Sequence, residues 1–298
     1  MDISILDKAF TELIAGQVVD PLDRVRDWLR DQRRFLTPAD WYRVRVLTSS
    51  HALSELLRQD PLIGRSFRKP RGYPGDAVTM DMIYGIGSDL PSLEGFSAEL
   101  FTYGCDIPPF RAVRYRRQLF SSAVDAVSAR RTDARVASVG AGHAREAHGS
   151  TAVRSGTLKS YFAVDQDLDS LHVAEKDYGV IPVHSSVRGI CEQGSIAEQV
   201  DLILAGGLYD YLTERTAIPL TRCLIDSLAP GGVLHIANIV RGFGDAALLE
   251  AVMDWPLVHR DEQDMRALLS EVATDRIDTI TLHRDPDDVM TFMEVHLR

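Results

Sequence analysis

From Arg135 onward the chain alternates short apolar runs with stretches of helical periodicity, and the first run closes on glycine: Val136-Ala137-Ser138-Val139-Gly140-Ala141-Gly142. That alternation leaves little choice of architecture. Parallel strands need a long return connection, and a helix that covers the sheet is the usual solution. Further strand-like runs fall at 161–164, 180–183, 200–205, 232–237, 277–282 and 290–295. The last two are separated by Arg284-Asp285-Pro286-Asp287-Asp288, too short and turn-rich for a crossover, so they are expected to pair as an antiparallel hairpin at one edge. The prediction is an α/β protein with a seven-stranded sheet.

Upstream, residues 2–60 read as helices. Ile3, Leu6, Phe10, Leu13 and Ile14 keep helical spacing, and Asp20-Pro21 and Thr37-Pro38 each offer an N-cap followed by a first-turn proline. The helix opened at Thr37 places Trp41, Val44, Thr48, His51 and Leu56 on one face and is expected to stop at Asp60-Pro61, with His51 as a packing residue. Pro108-Pro109 opens another helix, whose Arg111, Arg114, Arg116 and Arg117 are read as a solvated or salt-bridged face. Arg130-Arg131-Thr132-Asp133 then looks like a polar hinge. This places a helical cap at 1–130 and the sheet domain at 131–298.

The 298 residues carry a formal net charge of -10, which argues against general nucleic-acid binding. Cys105, Cys191 and Cys223 lie far apart with no Cys-x-x-Cys pair, so no zinc knuckle, metal cluster or disulfide framework is expected. No basic segment followed by an apolar run opens the chain, and no stretch approaches the length of a membrane span. The expectation is a cytoplasmic protein without membrane partners.

The chemistry gathers at strand ends, since in an open parallel sheet ligands sit beyond the carboxyl ends, where strand order reverses. The first end supplies Gly140 and Gly142, which allow a sharp turn and close backbone approach. The second ends in Asp165-Gln166, where a carboxylate can accept hydrogen bonds from both ribose hydroxyls of a nucleoside, or else cap the helix starting at Asp167. Ser186 and Val187 at the third end are placed to cover an adenine ring or bind its edge. The fourth, Gly206-Gly207-Leu208-Tyr209-Asp210-Tyr211, joins glycines to two phenols that can wall a pocket; the competing reading is that Leu208 and one tyrosine simply pack the next helix. Arg145-Glu146, just beyond the glycine turn, is read as an internal ion pair or as a pair that orients a bound cofactor. An Arg- and Pro-rich loop, Arg68-Lys69-Pro70-Arg71-Gly72-Tyr73-Pro74-Gly75-Asp76, holds polar side chains on a stiffened backbone, and Asp76 can cap the helix that follows.

These residues resemble a family. The glycine turn, Val164-Asp165, Gly206-Gly207-Leu208-Tyr209 and the Leu228-Ala229-Pro230-Gly231-Gly232 turn into the fifth strand look like class I S-adenosylmethionine-dependent methyltransferases, over about residues 110–298. Lys69 to Asp76, followed by Met80-Asp81-Met82-Ile83-Tyr84, is similar to the proteins of 3-hydroxypalmitic acid methyl ester biosynthesis and to related carboxyl methyltransferases of specialised metabolism. The resemblance implies a Rossmann-like sheet under a helical cap, S-adenosylmethionine as cofactor and S-adenosylhomocysteine as coproduct. It also implies methyl transfer to the carboxylate of a small organic acid. No long apolar groove for a fatty chain is legible, so the acyl identity is not carried over.

An ionised carboxylate is already a nucleophile at neutral pH and needs no general base. Cofactor contacts are expected from Tyr73, Gly140, Gly142, Arg145, Glu146, Asp165, Gln166, Ser186, Val187, Gly206, Gly207 and Leu208. Arg71, Tyr73, His143 and Tyr209 are the candidate catalytic residues, and Arg71, Tyr209, Tyr211 and Arg241 the candidate substrate holders. The partners expected are a small carboxylic acid and, at most, a second copy of the chain. The alternatives are a hydroxyl- or amine-directed methyltransferase with His143 as base, a nucleoside-binding protein without catalysis, and, more weakly, a nicotinamide dehydrogenase, which would want a third glycine where Arg145 stands.

Overall fold

A computed structural model describes residues 3–88, 90–196 and 198–298. Eight helices come first: α1 (Ser4–Ile14), α2 (Val19–Phe35), α3 (Pro38–Ser49), α4 (Ala52–Leu57), α5 (Pro61–Arg68), α6 (Ala77–Tyr84), α7 (Gly95–Cys105) and α8 (Pro108–Arg130). Then follow β1 (Arg135–Val139), α9 (Glu146–Gly149), α10 (Thr151–Ser155), β2 (Ser160–Asp165), α11 (Leu168–Tyr178), β3 (Ile181–His184), α12 (Val187–Gln193) and β4 (Val200–Ala205). The chain closes with α13 (Glu214–Asp226), β5 (Leu228–Ile239), α14 (Ala246–Val252), α15 (Glu262–Ala267), β6 (Ile277–Arg284) and β7 (Met290–Leu297).

Two compact units result: the chain up to Arg111 together with Gly242–Leu257, and Ala112–Arg241 together with Val258–Arg298. This division differs from the boundary expected near residue 130. From Ala112 onward α8 belongs with the sheet, where Arg116 and Phe120 meet the turn after β4. The segment after β5 belongs with the helices.

In the helical unit, apolar residues at helical spacing supply the core: Leu6, Ala9 and Leu13 from α1, Leu22, Val25 and Leu29 from α2, Trp41 and Val44 from α3. Thr37 caps α3 as expected, its hydroxyl accepting from Asp40 N–H at 3.2 Å. Asp20 does not cap α2, which begins one residue earlier at Val19. The helix expected through His51 breaks at Ser50, and the His51 ring instead caps α4, accepting from Leu53 N–H at 3.0 Å. Asp60 opens α5 by accepting from Ile63 N–H at 2.9 Å.

Three acids fasten the returning segment into this unit. Asp245 takes Arg26 (3.0 Å), Glu250 takes Arg33 (2.9 Å) and Trp41 (2.8 Å), and Asp254 takes Arg45 (3.2 Å) and Lys69 (2.5 Å). The Arg- and Pro-rich loop is fastened too. Lys69 adopts a left-handed conformation at φ +50°, and buried Asp76 caps α6 through Thr79 N–H (2.8 Å) while holding Arg65 in a two-pronged pair (2.9 and 2.6 Å).

In the other unit the strands run β3-β2-β1-β4-β5-β7-β6. The first five strands are mutually parallel, and β7 lies antiparallel between β5 and β6, so the expected hairpin turns its second strand inward. The two central strands β1 and β4 are buried almost throughout, as near-continuous apolar runs should be. In register, Val139 faces Val164, Ser138 faces Leu204 and Ala205 faces Ile236. The carboxyl ends of β1, β2 and β4 therefore finish at one level, and the strand order reverses between β1 and β4.

Candidate nucleoside-binding site

At that reversal the turn after β1 meets the turn after β4. Gly140 takes a positive φ of +68°, and a Cβ on it would lie 3.1 Å from the Leu208 side chain, so any other residue would strain the backbone and push against the turn after β4. Gly142 donates its N–H to Asp165 Oδ2 at 2.8 Å, and Asp167 N–H donates to Oδ1 at 2.9 Å. Asp165 thus ties the glycine turn to the end of β2, while the capping role on α11 falls to Asp167, which accepts from Asp169 N–H at 3.1 Å. Each Asp165 oxygen has further lone-pair capacity.

Beneath the turn lies a polar network that the sequence did not announce. Glu146 Oε1 accepts from Ser138 Oγ (2.5 Å) and Tyr161 OH (2.8 Å), and the Glu146 carbonyl accepts from Ser121 (2.6 Å). Burial first, and the Glu146 charge second, push the Tyr161 phenol well above its usual range, so it remains a donor. The clue was available in Ser138, a lone hydroxyl inside an apolar run. Arg145 takes a different partner: its Nη1 pairs with Asp177 at 2.6 Å and donates to Tyr178 OH at 2.9 Å, with 5% of the residue exposed. Arg145 is thus engaged with Asp177 and Tyr178 at the end of α11. His143 is buried beside Arg145, 3.5 Å from its Nη2.

The other expected residues divide. Ser186 caps α12, accepting from Gly189 N–H at 3.1 Å, and Val187 begins that helix; Gln166 is exposed at the end of β2. Gly206 and Gly207 lie against α8: a Cβ on Gly206 would come within 2.9 Å of the Phe120 ring and 3.2 Å of Arg116 Nε, and Arg116 Nη1 donates to Gly206 O at 2.7 Å. One of the four arginines read as a solvated or salt-bridged face thus lies against the start of this turn.

Tyr209 corrects its expectation as catalyst and substrate holder. It is fully buried in the core, its hydroxyl paired with Thr221 Oγ1 at 2.8 Å, because the turn directs it under the sheet toward α13. Arg241 likewise is held on the surface by Asp264 and by Asp261 (3.5 Å). Tyr211 is partly exposed on the same turn. Arg71 and Tyr73 are half-buried on the loop of the helical unit. Among the described residues no group of three or more His, Cys, Asp or Glu side chains is arranged to hold a metal ion, and no helix is long and apolar enough to cross a membrane.

The strand order, the reversal between β1 and β4 and the antiparallel β7 define the class I methyltransferase fold. No family model and no curated protein matches the sequence. Solved structures do match. A possible exported protein from Bordetella parapertussis is 15% identical at a TM-score of 0.67, over 100% of this chain and 99% of that one. Magnesium protoporphyrin IX methyltransferase (ChlM) from Synechocystis PCC 6803, with bound S-adenosylhomocysteine, is 12% identical at a TM-score of 0.52, over 80% of this chain and 100% of that one. At such identities the shared property is the fold.

Proposed function

We propose that this protein is an S-adenosylmethionine-dependent O-methyltransferase that forms a methyl ester on the carboxylate of a small organic acid. The observation that carries the cofactor reading is the Gly142–Asp165 tie at the strand reversal, with Gly140 packed on Leu208. The residues present fit a nucleoside: Asp165 offers ribose a carboxylate fixed by two backbone N–H groups, and Leu208 offers an apolar contact. Glu146 offers a carboxylate to an ammonium group, held in place by Ser138 and Tyr161. S-adenosylmethionine, when bound, supplies an electrophilic methyl on a sulfonium.

The carboxylate acceptor rests on the loop from Lys69 to Asp76 and on chemistry. An ionised acid needs holding and desolvation rather than deprotonation. Tyr211, Arg71 and Tyr73 are its proposed holders, since phenol and guanidinium groups donate hydrogen bonds to a carboxylate. Arg71 would contribute a planar fork matched to a carboxylate.

The test is transfer from methyl-labelled S-adenosylmethionine to a panel of fatty, hydroxy and dicarboxylic acids, followed by mild alkali. Label released as methanol is expected. Label stable to alkali would move the reading to a hydroxyl or amine acceptor, for which His143 is the base to mutate first.

A further inference from the structure

Strand β5 outruns its neighbour. Ala205, the last residue of β4, faces Ile236, so Ala237, Asn238 and Ile239 continue with no β4 partner. Val240 turns its N–H to Val289 O at 2.8 Å, on the side of β7, which leaves Ile239 presenting its N–H and C=O to the β4 side. Such groups, when buried, must be satisfied.

Two residues remote in sequence satisfy them. Asp210 Oδ1 accepts from Ile239 N–H at 2.8 Å, and Arg260 N–H donates to Ile239 O at 3.0 Å. The returning chain runs parallel to β5 here, with Val240 bridging Arg260, and is held by Val258 N–H on Asp210 O (2.7 Å) and Asn238 Nδ2 on Val258 O (2.8 Å). The Arg260 guanidinium then reaches the turn after β4. Its Nη1 donates to Tyr209 O (2.8 Å) and Asn238 Oδ1 (2.6 Å), and its Nη2 donates to Leu212 O (2.5 Å). None of Arg260 is exposed.

A fully buried guanidinium is an expensive way to gain stability, since well-packed apolar residues at such places commonly serve as well or better. A planar fork does provide a fixed spacing among three acceptors. Those acceptors belong to the turn that begins with Gly206 and carries Leu208 against Gly140, and to the end of β5. We infer that Arg260 is a positioning residue for methyl transfer, holding the turn after β4 in the one placement that aligns Leu208 and its neighbours at the strand reversal. The inference rests on the methyltransferase reading above.

The test uses the full chain and the variants Arg260→Lys, which keeps the charge but not the fork, and Arg260→Met, which keeps neither. Amide exchange over residues 206–212 is expected to speed up about tenfold or more in Arg260→Lys while β1 stays protected. Well below the melting temperature, kcat is expected to fall about tenfold or more in Arg260→Lys and further in Arg260→Met, with the donor KM within about threefold of wild type, as displacement without lost binding predicts. Variants that melt earlier yet keep wild-type kcat and wild-type exchange over 206–212 would overturn the positioning role. A wild-type chain that neither binds the sulfonium donor nor transfers methyl would overturn the methyltransferase reading and the inference with it, whereas full activity in Arg260→Lys beside active wild type overturns the inference alone.

Discussion

Glu250 gives the sharpest test of how the segment after β5 is held in the helical unit. Its Oε1 accepts from Arg33 Nε (3.1 Å) and Nη2 (2.9 Å), its Oε2 accepts from Trp41 Nε1 (2.8 Å), and its side chain is 11% exposed against 29% for Arg33. Glu250→Ala leaves a half-buried guanidinium and an indole N–H without their acceptor. Breaking a buried pair from one side costs roughly 3–5 kcal/mol, and the exposure of Arg33 puts this case at the lower end, about 3 kcal/mol. Glu250→Gln keeps one oxygen acceptor and loses the charge, for about half that cost. All three tryptophans, Trp28, Trp41 and Trp255, belong to this unit, so tryptophan emission during urea unfolding follows it. With a slope of about 2 kcal/mol per molar urea, Glu250→Ala should lower the midpoint by about 1.5 M. A midpoint within about 0.3 M of wild type, or Glu250→Gln as damaging as Glu250→Ala, would refute the reasoning.

Three further outcomes are expected. Asp165→Ala removes a carboxylate held by two N–H donors, and calorimetric affinity for S-adenosylhomocysteine should fall about tenfold to a hundredfold; unchanged affinity would remove Asp165 from the nucleoside site. Arg71→Ala should leave that affinity within about twofold and lower kcat/KM about tenfold or more, a split that steady-state kinetics with titrated acid would show or deny. His235, buried against the Phe120 ring, has its pKa pushed down to about 4, first by burial, with Glu294 opposing and His296 and His283 assisting. Because the unfolded state takes up that proton near pH 6.5 and the folded state does not, stability contributed here is lost as pH falls from about 6.5 to 4, by about 3 kcal/mol. Asp60 and Asp210, raised to about 6 mainly by burial, act in the opposite sense as pH rises from about 4 to 6, so the wild-type slope is a net of the two. Melting curves of His235→Gln and wild type should therefore converge toward pH 4 relative to their difference at pH 7, and parallel curves would contradict the assignment.

Local chemistry was legible where it is local in the chain. Thr37 ahead of Pro38 and Asp76 ahead of its helix cap as read, because a cap needs only the next three residues. His51 shows the limit of that locality: helical periodicity continues through it, but its ring turns back to accept from Leu53 N–H and starts a new helix. Seven strands, their antiparallel close and the glycine turn beside Asp165 all follow from runs of a few residues and from connection length.

Tertiary structure decided which polar groups meet, and a single sequence holds little trace of that. Cys191 and Cys223, unpaired by spacing, become neighbours, and the Cys191 thiol is pushed up by burial and by Cys223. Of the two places open to Tyr209, the wall of a pocket or the packing of the next helix, the fold takes the second, because Thr221 on α13 offers its hydroxyl a partner. Arg116 was one of four similar arginines until Gly206 gave it a place to lie. The sequence by itself determined the order of strands and helices and the positions where the backbone must turn, since these depend on periodicity, glycine and proline. Only the folded chain decided that Asp245, Glu250 and Asp254 return to the helical unit and that Arg260 reaches the turn after β4. Those pairings join residues far apart along the chain, and burial selects among many equivalent charges the few that find partners.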